Sequence, residues 1–188
     1  MRVISGSAGG IPLAVPRTDI RPTMDRVKGA IFSSLFDVVP GARVLDLFAG
    51  TGALGIEALS RGCASVDFVE KNALAADTIE RNLAKTRLAG RIHRLDVFSY
   101  VDRLSTPHIF DIIFADPPYL KVPGDRDFDS ELLKCDSLVR ALAPGGIFVL
   151  EKMPQKKLPA HPSWEMISSR KYGATEVVFF RAVEATIS

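Results

Sequence analysis

A chain of 188 residues, 47% hydrophobic and 24% charged, has the composition of a soluble globular protein and the length for one domain with a sizeable core. No apolar stretch approaches the ~20 residues of a membrane span, and the start Met1-Arg2-Val3-Ile4-Ser5-Gly6 lacks a signal-peptide core, so a cytoplasmic protein is expected. Cys63 and Cys135 give neither a disulfide framework nor a metal spacing, and a net charge of +2 is too small to name nucleic acid as the partner by itself.

Residues 1–20 hold Gly6, Gly9, Gly10, Pro12 and Pro16 between short apolar pieces, which predicts a hairpin or loose arm. Arg2, Arg17, Arg21, Arg26 and Lys28 outnumber Asp19 and Asp25 there, a modestly basic pattern that suits phosphate contacts or a solvated surface equally. A helix is expected next, with Thr23 as its N-cap and Val27, Ala30, Ile31, Leu35 and Val38 on one face. Gly29 weakens it, and Pro40-Gly41 ends it. From Arg43 onward strands and helices alternate. Strands are predicted over 44–48, 65–69, 92–95, 110–115 and 147–150, and helices over 53–60, 73–86 (capped by Asn72) and 130–141, the last stopped by Pro144-Gly145-Gly146. Residues 164–168 and 177–180 flank Tyr172-Gly173 too closely for a crossover helix, which predicts a closing antiparallel pair. The pattern is that of an α/β fold: seven strands, mostly parallel, with helices on both faces and an antiparallel C-terminal strand, in a single domain over 1–188.

The first strand runs into Asp46-Leu47-Phe48-Ala49-Gly50-Thr51-Gly52-Ala53-Leu54-Gly55, where Gly50, Gly52 and Gly55 satisfy the dinucleotide fingerprint. Glu70 closes the second strand, where a ribose-binding acid belongs. An NAD-type oxidoreductase is therefore one reading. Asp46 argues against it, because an anion just before the glycines is poorly placed for a pyrophosphate held on helix N–H groups. The same carboxylate suits a cation. S-adenosylmethionine carries an ammonium and a sulfonium and no phosphate: Asp46 can hold the ammonium, Glu70 the ribose hydroxyls, and Asp96, ending the third strand, the adenine amine. Asp96 reads equally as a helix cap. The candidate cofactor residues are Asp46, Phe48, Gly50, Gly52, Glu70, Asp96 and Val97.

The apolar strand 110–115 ends in Asp116-Pro117-Pro118-Tyr119. Proline fixes φ and lacks an N–H donor, so a regular central strand cannot continue and carbonyl oxygens are left to accept hydrogen bonds. Asp116 adds a second acceptor and Tyr119 a flat face. Two acceptors beside a stacking ring suit a planar group with an exocyclic NH2; the alternative is a plain Pro-Pro turn. This chemistry admits guanine N2, adenine N6, cytosine N4 and a glutamine amide alike. A catalytically silent RNA-binding domain is a further reading, disfavoured by the intact tetrad. The polar segment 121–129 just after it reads either as a lid over the target or as a passive surface loop.

With these motifs in this order the chain resembles the class I S-adenosylmethionine-dependent methyltransferases, and more narrowly the bacterial small-subunit (16S) ribosomal RNA guanine-N2 methyltransferases of the RsmD type. The resemblance covers nearly the whole chain. It is carried by Arg21-Pro22-Thr23 with Asp25-Arg26-Val27, by the cofactor loop running on through Ile56-Glu57-Ala58-Leu59-Ser60-Arg61-Gly62, by the tetrad, and by Lys171-Tyr172-Gly173. Two positions depart from the family pattern: Gly10-Ile11-Pro12-Leu13 lacks basic residues, and Gly29 stands where an acid is usual. The resemblance implies a Rossmann-like fold with a short N-terminal arm or hairpin, S-adenosylmethionine as cofactor, and Asp116, Pro117, Pro118 and Tyr119 as the catalytic group. It also implies ribosomal RNA in an assembling small subunit as partner, and a monomer. Arg21 and Thr23 are expected at the cofactor carboxylate or an RNA phosphate, with a salt-bridged arginine and a plain helix cap as the alternative.

Overall fold

In the computed structural model, which describes residues 1–15, 25–107, 109–119 and 124–183, the alternating segments build one seven-stranded sheet. Its strands are β1 (Arg43–Leu47), β2 (Ser65–Val69), β3 (Arg91–His93), β4 (Phe110–Ala115), β5 (Leu142–Lys152), β6 (Trp164–Tyr172) and β7 (Thr175–Ala182), in the order β3-β2-β1-β4-β5-β7-β6. The first five are parallel to one another; β7 is antiparallel to both β5 and β6. The helices are α1 (Asp25–Ser34), α2 (Ala53–Ser60), α3 (Ala73–Thr86), α4 (Val97–Val101), α5 (Phe128–Leu133) and α6 (Asp136–Ala141).

Strand alternation sorts the apolar side chains into two layers. Val44, Phe68, Ile112, Phe114, Val149 and Val177 pack with Ile31 and Phe32 of α1, Ile56 of α2 and Ile79 of α3. Leu45, Leu47, Ile113, Phe148, Leu150 and Phe180 pack with Val101 of α4, Leu132 of α5, Leu138 of α6 and Trp164. The expected mostly parallel sheet with helices on both faces and a closing antiparallel pair is thus found, and burying each large side chain contributes roughly 1.5–3 kcal/mol.

Several boundaries differ from expectation, each for a local reason. α1 ends at Ser34 and only a tight 3-10 turn, Phe36–Val38, continues it; its expected cap Thr23 lies outside the described residues. The third strand stops at His93, so Asp96 does not end it. Asp96 instead caps the unexpected helix α4, accepting from the Phe98 and Ser99 N–H groups at 3.0 and 3.3 Å. The helix expected over 130–141 is two helices. Asp127 caps the first, starting it at Phe128, and Cys135 is extended (φ −84°, ψ 99°), which breaks the run. Pro144-Gly145-Gly146 does not precede the fifth strand but bulges within it. Phe110 pairs with Leu142 and Ile112 with Ile147, and a side chain at Gly146 would lie 2.8 Å from the Ala143 carbonyl oxygen.

Residues 1–13 form a hairpin: Val3 N–H donates to the Ile11 carbonyl and Gly10 N–H to the Val3 carbonyl, both at 2.9 Å. It docks on α2 through a buried charge cluster. Glu57 and Lys28, both fully buried, lie 3.2 Å apart. Glu57 also accepts from Arg61 at 2.7 Å and from the Ile4 and Ser5 N–H groups at 2.7 and 3.1 Å. Gly6 (φ 86°) is required there, because a Cβ would fall 1.8 Å from the Ser60 carbonyl oxygen.

Candidate active site

Strand β1 lies between β2 and β4, so the chain turns one way from β1 to β2 and the rest of the sheet grows the other way from β4. The crevice at the carboxyl ends of β1 and β4 is therefore the topological switch point, where ligands of open α/β sheets bind. Leu47 pairs with Ala115, so Phe48 and Asp116 leave the sheet side by side.

The glycine loop comes after β1 with Phe48, Gly50 and Gly52 all in the left-handed region (φ 54°, 56° and 76°). For a bulky residue such as Phe48 this conformation is strained, a feature that clusters at functional sites. Gly52 is the N-cap of α2 and offers no side-chain cap. Asp46 supplies one from the strand: its Oδ2 accepts from the Gly55 N–H at 2.9 Å. Burial pushes the Asp46 carboxyl up to about 8, opposed by that hydrogen bond and reinforced by the nearby Glu70 charge. Gly55 itself serves packing, since a Cβ there would stand 2.3 Å from the Phe68 ring. Glu70 reaches from the end of β2 to grip the loop, accepting from Gly50 N–H at 2.9 Å and Asn72 N–H at 2.7 Å. A carboxylate has about four lone-pair sites, so Glu70 keeps acceptor capacity after both bonds. Asn82 of α3 completes the frame by donating to the Thr51 carbonyl at 2.9 Å and bonding both backbone groups of Ala14.

Beyond this loop lies an aromatic cluster that sequence reasoning missed. The Phe48 ring meets Phe128 edge-on at 5.2 Å, and Phe128 is nearly parallel to Phe98 at 6.5 Å. The Arg126 guanidinium sits 4.7 Å from the Phe98 ring centre and 5.0 Å from that of Phe128, with Asp96 Oδ2 at 3.8 Å. Lys71 adds a cation 5.9 Å from Phe128. The cluster joins Asp96 and the buried Val97 to the mouth of the glycine loop. Arg126 and Phe128 belong to the segment that reads as lid or passive loop. Residues 120–123 lie outside the described residues, but Arg126 and the Lys156 contacts to Asp127 and Asp129 tie down the start of α5. Phe128 carried no sequence signal because it stands between a polar stretch and a helix whose start was expected later.

Within the tetrad Pro117 is buried, Pro118 exposed, and Asp116 and Tyr119 half-buried. The Tyr119 hydroxyl is hydrogen-bonded to Thr175 Oγ1, which bonds Glu151 Oε1 at 2.8 Å. The structure thus brings Asp46, Phe48, Gly50, Gly52 and Glu70 into one frame, sets the tetrad beside it, and links Asp96 and Val97 through the aromatic cluster. Arg21 and Thr23 lie outside the described residues.

Comparison with known proteins agrees with this fold. The family model described as Conserved hypothetical protein 95 matches residues 1–181. Ribosomal RNA small subunit methyltransferase D of Escherichia coli (strain K12) is 38% identical over 169 residues, covering 88% of this chain and 82% of that protein. Its namesake in Haemophilus influenzae is 30% identical over 177 residues, covering 92% and 89%. Among solved structures, yhhF from Escherichia coli superposes with a TM-score of 0.83 at 28% identity over 97% of each chain. A Thermus thermophilus 16S rRNA N2 G1207 methyltransferase, in complex with AdoMet and guanosine, shares the fold at a TM-score of 0.65 and 23% identity, over 89% of this chain and 46% of that one.

Proposed function

This chain belongs to the family described as Conserved hypothetical protein 95, that of ribosomal RNA small subunit methyltransferase D, and we propose that it transfers a methyl group from S-adenosylmethionine to the exocyclic N2 of a guanine in 16S ribosomal RNA. The observation that carries the reading is the Asp116-Pro117-Pro118-Tyr119 tetrad at the tip of β4, beside the glycine loop at the switch point of the sheet.

The residues present fit the cofactor. Asp46, Glu70 and Asp96 converge on the same rim, and three acids suit a ligand with an ammonium, a sulfonium, ribose hydroxyls and an adenine amine. S-adenosylmethionine supplies an electrophilic methyl group on its sulfonium. Asp46 holds the ammonium, directly or through water; Glu70 takes the ribose hydroxyls with its remaining lone pairs; Asp96 Oδ2 accepts from the adenine amine. Gly50 and Gly52 let the backbone approach, and Phe48 and Val97 flank the adenosine portion.

The target amine is a weak nucleophile because its lone pair is delocalised into the ring. Asp116 and the Pro117 carbonyl oxygen accept its two N–H bonds and favour a more tetrahedral nitrogen, which localises the lone pair and aims it at the methyl group. Holding both reactants in line removes an entropic cost. Asp116 also stabilises positive charge developing on nitrogen as the methyl–sulfur bond breaks to leave the neutral thioether, and the surplus proton on nitrogen then departs to Asp116 or water. Tyr119 stacks on the base once it has left its own stack. On this reading the chain acts as a single domain and a monomer, in the cytoplasm, on RNA within an assembling small subunit. Among the described residues no helix is long and apolar enough to cross a membrane. Asp116→Ala tests the reading: turnover should vanish while S-adenosylmethionine binding persists, and an active alanine variant would overturn it.

A further inference from the structure

Thr175 and Glu151 lie far from the tetrad in sequence, yet the fold delivers both to it. Gly173, with φ 62° at the first position of the two-residue turn between β6 and β7, has the conformation a type II′ hairpin needs. That turn sets the register in which Tyr172 pairs with Thr175, and Val177 pairs with Glu151 across β5 and β7. Side chains two apart share a face, so Thr175, Val177 and Glu151 all point to the α1–α3 side of the sheet. This is also the side of Asp46 and Phe114, and two residues on from Phe114 stands Asp116. The face is apolar through Ile112, Phe114, Val149 and Val177 and turns polar only at its carboxyl rim. Thr175 is 1% exposed and Glu151 6%.

Proton counting fixes the direction of the hydrogen bonds. Thr175 Oγ1 donates its single proton to Glu151 Oε1 at 2.8 Å. Thr175 Oγ1 can then only accept from Tyr119, whose O–H donates. The chain Tyr119 O–H to Thr175 O–H to Glu151 is directional, and each bond polarises the next. The Tyr119 hydroxyl also lies 3.5 Å from Glu151 Oε1. A stacking ring on a segment of two prolines is thereby anchored at its far end to two strands of the central sheet.

We propose that Thr175 and Glu151 are positioning residues that hold the plane of the Tyr119 ring against the target base. This rests on the proposed function above, in which Tyr119 stacks on that base. A ring free to tilt would misplace the amine relative to Asp116, and small misplacements in such sites are costly.

The test is a double-mutant cycle on methyl transfer to small ribosomal subunits, with Thr175→Val, Tyr119→Phe and both together. Thr175→Val keeps the shape of a buried residue and removes only the hydroxyl. Each single variant should lower kcat about tenfold with S-adenosylmethionine affinity unchanged, and the double variant should be no worse than either. Thr175→Ser, which keeps the hydroxyl, should restore the rate. Multiplied losses in the double variant, or wild-type kinetics in Thr175→Val, would overturn the inference. A second readout does not depend on turnover: in protein with labelled tyrosine the Tyr119 ring signals should move in Thr175→Val and return in Thr175→Ser. Unmoved signals would overturn the inference even with the proposed function intact. Moved signals in a protein that leaves guanine unmethylated would support the anchor and count against the function.

Discussion

Asp46 caps α2 in place of Gly52, and the proposed function gives the same carboxyl group a second role, holding a cationic ligand. The two roles conflict electrostatically, because burial raises the group to about 8 from an ordinary 3.8. A carboxyl raised in the fold keeps its proton there when the unfolded chain has lost it, so its contribution to stability is full below the ordinary value and fades as pH rises through about 8. Binding a cation favours the ionised form and expels that proton. S-adenosylmethionine affinity should therefore rise roughly tenfold between about pH 5.5 and about pH 6.5, where the ligand's own amine stays protonated, measured by calorimetry. Asp46→Asn, which can still accept from the Gly55 N–H, should bind more weakly and lose this pH dependence without losing stability at the upper pH. At this scale the sequence was legible in placement, with Asp46, Glu70 and Asp116 at the carboxyl ends of β1, β2 and β4. It left two uses open at Asp96, read as the end of a strand and equally as a helix cap; it is the cap, because the strand stops three residues earlier.

The glycine loop is framed by two elements that no motif identifies. From one side Asn82 of α3 bonds the Thr51 carbonyl and Ala14 together; from the other the N-terminal hairpin is pinned to α2 by Lys28, Glu57 and Arg61. Breaking a buried pair leaves an uncompensated charge, so Lys28→Met should cost about 3 kcal/mol in urea unfolding, with early loss of amide protection in residues 1–13. An unchanged midpoint would mean that Arg61 and the two hairpin N–H groups satisfy Glu57 alone. In the third glycine of the fingerprint the constraint is helix-on-strand contact: Gly55→Ala would press a methyl into Phe68 and should destabilise by about 1–3 kcal/mol. The sheet and long helices were legible because their periodicity is strong, and the hairpin, read as hairpin or loose arm, from its glycines and prolines. The break at Cys135 was not, since nothing in the local pattern marks it. The bulge at Gly145-Gly146 looked like a helix stop because proline and glycine punctuate both.

At the scale of the whole molecule, the sheet order puts four polar side chains from four strands on one rim: Asp46, Asp116, Glu151 and Thr175. The first two were legible because each opens a recognisable motif. The other two were not, because their meeting depends on β7 returning antiparallel beside β5. The same rim distinguishes the two cofactors that the glycine motif alone admits. Ligand at about a hundredfold over its Kd stabilises by about 2.7 kcal/mol, which for a chain of this size raises Tm by roughly 5–10 °C. S-adenosylmethionine should give such a shift and NAD none; the reverse would return the chain to the oxidoreductase reading. Whether the tetrad acts on a guanine amine is tested most directly by incubating the protein with labelled S-adenosylmethionine and small ribosomal subunits lacking this modification, then analysing the nucleosides. Label in N2-methylguanosine is the predicted result. Label in N6-methyladenosine, or none in RNA from a protein that binds the cofactor, would contradict it.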